Sequence, residues 1–186
     1  MITNKKELHG CLAMDARNYS VRNSGWLRRM RNNFGVTPIC NQKYIWRYIK
    51  ALRYVELFTN RKKFWEVPFL LYYRHKLNKL SYKTGFQIPP NVVGPGMTIW
   101  HWGTIIINEE AKIGANVVLN PMVIIGHKKR GEGCPVIGDN CFIGGGARII
   151  GNIHIGNNVT IAPNAVVVKD VPDGMTVGGI PAKPLK

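Results

Sequence analysis

From Ile137 onward the chain falls into consecutive units of six residues: IGDNCF, IGGGAR, IIGNIH, IGNNVT, IAPNAV and VVKDVP. An aliphatic residue opens each unit (Ile137, Ile143, Ile149, Ile155, Ile161, Val167). A small or β-branched residue returns four places later (Cys141, Ala147, Ile153, Val159, Ala165, Val171). The same register is present upstream at Ile113, Leu119 and Ile125, with Val117 and Val123 at the fifth places, and an earlier phase holds Val93 and Ile99. A period of six matches neither the 3.6 of a helix nor the 2 of an ordinary strand. It predicts a parallel β-helix in which each unit forms one side of a triangular prism. The opening aliphatics point inward and stack on residues about eighteen positions later. Gly and Asn at the corners take positive φ with little strain. Two interruptions are expected: a short phase shift around Asn108 to Ala111, and an insertion from His127 to Val136.

Residues 1–85 follow a different pattern. They hold 18 Lys and Arg against four Asp and Glu, all seven Tyr, and Trp26, Trp46 and Trp65. Tyr44, Ile45, Tyr48, Ala51, Leu52, Val55 and Phe58 recur at helical spacing, with Lys43, Arg47, Lys50 and Arg53 between them, and Asn60 is a plausible stop. Pro68 starts or breaks a second helix through Leu70, Leu71, Leu77 and Leu80, ending near Gly85. Residues 18–40 read as loop-rich. The expected organisation is a basic helical region, 1–85, followed by a separately folding β-helix domain, 86–186, with an inserted loop at 127–136. The fold class is mainly β.

Four Cys without a CxxC pair argue against a disulfide framework and for a reducing compartment. The segment Met1–Ser20 has no apolar core of the signal-peptide kind, and no run approaches the ~20 residues of a bilayer span. A cytoplasmic protein is expected, with its +16 charge available for peripheral attachment at the inner face of a membrane.

The repeat [LIV]-G-x-x-[small]-x resembles that of the hexapeptide-repeat acyltransferases, whose prism is a left-handed β-helix, and the tail GGIPAKPLK is similar to the usual ending of that family. The order of parts (helical region, coil with a catalytic His, inserted loop, further coils) resembles serine acetyltransferase. The resemblance implies a homotrimer with sites between neighbouring subunits, and acetyl-CoA as co-substrate with no metal. The segment IWHWGT is similar to the catalytic LDHATG hexad, which makes His101 the base. An imidazole titrating near ~6.5 suits removal of a hydroxyl proton at neutral pH.

Three departures from that pattern bear on the acceptor. Trp100 stands where the family has a substrate-binding Asp. Gly133-Cys134 stands in place of an Arg-His pair. An acidic partner expected about fifteen residues before the base falls at Phe86 or Gln87. The expected acceptor is therefore a carbohydrate hydroxyl, most plausibly on a capsular or exopolysaccharide unit, with Trp100, Trp102 and His127 as acceptor-side residues. Gly145 is the principal cofactor-side position, with Ala162, Lys128 and Lys183 along the same groove. Glu109, Glu110 or a backbone carbonyl is left to orient His101. Serine O-acetylation is the rival activity, and a non-catalytic trimeric scaffold the rival class. A three-His zinc hydratase is disfavoured, because Glu132 stands five places after His127 where a second ligand is needed. The partners expected are a sugar or polysaccharide and an anionic membrane surface met by the basic region. Nucleic acid is not expected, since no binding motif accompanies the charge.

Overall fold

The structure, a computed structural model, describes residues 1–19 and 42–185. Most of the expected loop-rich stretch lies outside the described residues. Helix α1 spans Lys5–Asp15, α2 spans Gln42–Arg61 and α3 spans Val67–Thr84. Asn4 caps α1 by accepting the Glu7 N–H at 2.9 Å, and Glu7 returns a carboxylate to the Thr3 N–H at 2.7 Å. The two bonds are reciprocal in the manner of a capping box, with the returning bond made one residue before the cap. Pro68 sits in the first turn of α3, where its missing N–H costs nothing. The left-handed Gly85 (φ 80°) closes that helix by donating to Ser81 O at 2.8 Å.

The strand Phe86–Gln87 follows directly, and from there the backbone winds as a prism of three parallel faces. One face stacks Phe86–Gln87, Ile105–Ile107, Ile124–Gly126, Arg148–Ile150 and Val166–Val167. A second stacks Thr98–Ile99, Val118–Leu119, Phe142–Ile143, Thr160–Ile161 and Thr176–Gly178, and Lys183–Pro184 joins its end antiparallel. The third stacks Lys112–Ile113, Val136–Ile137 and His154–Ile155, extended by single bridges to Val93 and Val171. The aliphatics that open the six-residue units are buried throughout. Asn116, Asn140, Asn158 and Asn164 turn corners at φ between 55° and 58°.

Register shows where the winding departs from eighteen residues per coil. Ile143 pairs with Ile161 and Ile149 with Val167, both eighteen apart. Ile125 pairs with Ile149, so the inserted loop adds one full unit of six and the phase resumes undisturbed. Ile99 pairs with Leu119, whereas Ile107 pairs with Ile125. The two extra residues therefore lie between Ile99 and Ile107, not at Asn108 to Ala111 as the sequence led us to expect. The aliphatic run Ile105–Ile107 conceals the shift, because any of its members can be read as the inward position.

The β-helix does not have a core of its own. Ile45, Tyr48, Ile49, Leu52 and Val55 of α2, with Leu77 and Leu80 of α3, belong to the same buried cluster as Phe86, Ile99 and the prism interior. Polar contacts tie the two regions as well. Tyr48 Oη accepts from Ile88 N at 3.2 Å and donates to Ile88 O at 3.3 Å. Arg53 donates to Val93 O at 2.8 Å and Gly94 O at 2.7 Å, and is neutralised by Asp15 and Glu56. The change at residue 85 is one of secondary structure, and the hydrophobic core runs across it. The first coil has no preceding coil to cover it, so the helices cover it instead.

Candidate active site

The extra residues widen the corner Trp100–Thr104, which carries His101. This corner is held at both ends by the helical region. Tyr19, buried in the described structure, accepts the Ile99 N–H at 2.7 Å through its hydroxyl and donates to Ile99 O at 3.2 Å. At the other end Gly103 N donates to Thr84 O at 2.9 Å, and Gly103 takes φ 137°. Between these clamps Trp100, His101 and Trp102 all project into solvent. Among the described residues, no hydrogen bond holds the His101 ring. Burial drives the Tyr19 phenol well above its usual range, so it serves as a neutral hydrogen-bonding peg.

Corners of successive coils stack along one edge. A side chain on Gly103 would meet Pro121, one on Gly145 would meet Pro121 O at 3.4 Å, and one on Gly178 would meet Ala162 at 3.0 Å. His101, Gly145 and Ala162, all predicted site residues, are thus brought onto a single edge. Gly145 is partly open, and a Cβ there would make only ordinary contacts, so this stretch presents a flat backbone rim to a long, thin ligand arm. Lys183 is exposed near the far end, lining a cavity of about 280 Å³ with Val167, Lys169 and Ala182. On the same edge Met122 takes φ 66°, where Gly146 and Asn164 hold the matching places in later coils, and 62 % of it is exposed. A bulky residue in the left-handed region beside a candidate base is a signal of function. It is invisible in a hexad pattern.

His127 and Lys128 lie elsewhere, at the next edge. The root of the inserted loop gathers Asn108, Glu110, His127 and Cys134. Asn108 Oδ1 accepts the Glu110 N–H at 2.9 Å, which fixes the amide and turns its NH₂ toward His127 Nδ1 at 3.0 Å. The Cys134 thiol approaches the same nitrogen at 3.9 Å. Nδ1 therefore bears the lone pair and the ring proton sits on Nε2, leaving His127 as an outward hydrogen-bond donor. Burial and the Glu110 charge push the Cys134 thiol up. The ligand atoms of Glu110, His127 and Cys134 lie within 4.8 Å of one another. In this arrangement the Asn108 amide is the hydrogen-bond partner of that histidine nitrogen. Lys128, Lys129 and Arg130 are exposed along the loop, with Lys129 near Glu132 at 3.9 Å.

Within one chain, then, the structure brings His101, Trp100, Trp102, Gly145 and Ala162 together, but places His127 and Lys128 on a different edge. Glu109 and Glu110 also belong to that second edge, so neither orients His101 of the same chain. Phe86 is fully buried against Tyr48, with ring centroids 5.1 Å apart, and has a packing role. Tyr19, Asn108 and Met122 were not foreseen.

Comparison with known proteins bears on this geometry. The family model described as bacterial transferase hexapeptide (six repeats) matches residues 134–169. A serine acetyltransferase of Staphylococcus aureus is 42% identical over 106 residues, covering 55% of this chain and 50% of that protein. One from Staphylococcus xylosus matches at the same identity and covers 49% of its length. The chain thus spans about half the length of these curated relatives. Among solved structures, Neisseria gonorrhoeae serine acetyltransferase in complex with serine superposes with a TM-score of 0.67 at 27% identity, covering 98% of this chain and 70% of that one. The soybean serine acetyltransferase apoenzyme gives 0.72 at 26%, covering 97% and 69%. The prism is a left-handed parallel β-helix. These relatives are serine acetyltransferases and not the sugar acetyltransferases that the sequence placed nearest. No helix among the described residues is long and apolar enough to cross a membrane.

Proposed function

We propose that this chain is an acetyl-CoA-dependent O-acetyltransferase with His101 as general base. The observation that carries the reading is the widened corner. Two residues are added to the winding at the position of the histidine, and that corner is clamped at Ile99 and Gly103 while the ring itself stays free and exposed. His101 takes the proton of an alcohol as its oxygen attacks the thioester carbonyl. The C–S bond breaks, and the same imidazole returns the proton to the departing sulfur. The thiol arm lies along the rim at Gly145 and Ala162, and Lys183 meets phosphate groups.

A homotrimer accounts for the separation of the two edges. The His101 edge of one protomer faces the His127 edge of the next, so a site incomplete in one chain is completed by its neighbour. The relatives named above favour serine as acceptor. The second edge offers chemistry for it, with the Nε2–H of His127 and the loop cations for a carboxylate and Glu109 or Glu110 for an ammonium group. This replaces the carbohydrate as our leading reading. One observation keeps the carbohydrate as a second reading: the His101 corner has no charged side chain and is flanked by two indoles, Trp100 and Trp102, exposed at 42% and 49%. Such a corner suits stacking on a sugar ring.

Release of CoA from acetyl-CoA, followed with serine or with a panel of nucleotide-linked and free sugars, separates these readings. Turnover with serine is expected. Turnover with sugars alone establishes the second reading, and no acetyl-CoA binding at all leaves a scaffold and overturns both.

A further inference from the structure

The turn between α2 and α3 exposes an unusual concentration of apolar side chains. Phe64, Trp65, Val67, Phe69, Leu71 and Tyr72 all lie open within nine residues, and Phe64 is 81% exposed. Phe64 and Trp65 meet edge to face at 4.9 Å, and the Lys63 ammonium sits 5.4 Å from the Trp65 ring. The buried stripe of α3, Leu77, Leu80 and Thr84, is directed elsewhere, into the prism. Phe69 stacks on Phe58 and Tyr72 meets Tyr73, whereas Phe64 and Trp65 have no ring partner among the described residues but each other. Cations flank them on both sides: Lys62 and Lys63 before and Arg74 after, all exposed. The one acid of the segment, Glu66, is buried and paired with Arg61 at 3.0 Å.

From this we infer that the α2–α3 turn is a docking surface for an anionic lipid bilayer. The rings stand exposed at a turn between two helices, which suits a soft interface into which aromatic rings insert. A second copy of the chain is a poor occupant, because it brings the same excess of 18 basic over four acidic residues in its first 85 positions against this one. The surface combines the two signals that stable attachment needs, apolar insertion and a polybasic rim. Attachment of this kind needs no spanning segment, and it holds whichever alcohol the enzyme acetylates.

Co-sedimentation of the full chain with vesicles tests this directly. Binding is expected to vesicles of phosphatidylcholine and phosphatidylglycerol in equal amounts and not to phosphatidylcholine alone, and to weaken with salt. Replacing Phe64→Ser together with Trp65→Ser should lower partitioning roughly tenfold or more. Each of Lys62→Gln and Lys63→Gln should lower it about fivefold. All four positions are exposed, so folding and CoA release in solution should be unchanged, which separates failure here from failure of the catalytic reading. Two results would overturn the inference: absence of vesicle binding, or binding indifferent to the Phe64/Trp65 pair. Loss of an oligomer in the double variant with vesicle binding intact would also overturn it, by assigning the surface to self-association.

Discussion

Truncating Asp15 should undo the junction between helices and prism. Its carboxylate is fully buried and accepts five hydrogen bonds, from Gly96 N at 2.7 Å, Met97 N at 3.0 Å, Arg53 Nε at 2.8 Å, Arg53 Nη2 at 3.3 Å and the Cys11 thiol at 3.7 Å. Asp15→Ala leaves the Arg53 guanidinium with Glu56 as its only carboxylate and orphans two backbone donors of the first coil. Removing one partner of a buried pair costs about 3–5 kcal/mol, and an orphaned buried donor about 1–3 kcal/mol, part of which water admitted to the gap recovers. A loss of about 4 kcal/mol is therefore expected, a large share of the ~5–15 kcal/mol typical of a domain. Asp15→Asn keeps an acceptor oxygen and loses the charge, so it should fall between. Urea denaturation followed by far-UV circular dichroism, at one fixed protein concentration because assembly shifts the midpoint by mass action, measures the difference. The deficit should change little with salt, since the pair is out of solvent. A loss below about 1 kcal/mol for Asp15→Ala would show that the junction is not carried by this network.

Two further variants probe the site. Gly145→Ala adds a methyl that meets nothing closer than 3.4 Å, so the melting temperature should hold while KM for acetyl-CoA rises about tenfold or more. Gly144→Ala, whose Cβ would fall 2.5 Å from Pro163 N, should instead cost about 1–3 kcal/mol of stability. An unchanged KM for Gly145→Ala would remove that residue from the cofactor side. Tyr19→Phe orphans both the N–H and the carbonyl of Ile99 and loosens the His101 corner. A fall in kcat of about tenfold with KM for acetyl-CoA unchanged is expected in steady-state kinetics, and equal kcat would refute the clamp.

The prism was legible because its inward positions recur at a fixed period and one residue type suffices at each. Ile143, Ile161 and Leu119 could be placed facing the core before any coordinates existed. His101 was singled out for a different reason, since the motif around it is similar to a known catalytic hexad, and its role is the proposal made above. What escaped notice depends on contacts distant in sequence. Tyr19 reaches Ile99 across eighty residues, and Asp15 reaches Gly96 across eighty-one. Nothing local to either residue announces such a partner. The misplaced phase shift has a local cause: three consecutive isoleucines, Ile105–Ile107, offer no contrast by which to choose the inward one. The helices α2 and α3 follow from spacing, Pro68 and Gly85, whereas α1 has almost no apolar face and depends on Leu8 and Cys11 packing with Leu57. Burial pushes that Cys11 thiol up to about 12.

The role given to His101 is tested most directly by comparing initial rates of CoA release from acetyl-CoA by the wild-type chain and by His101→Ala, with serine and with sugars, and with size in solution checked by light scattering. Loss of a positioned base should cut the rate by about 10²–10⁴-fold while the particle size is unchanged. A variant that keeps its rate within about twofold, against the 10²–10⁴-fold expected of a lost general base, would contradict the assignment.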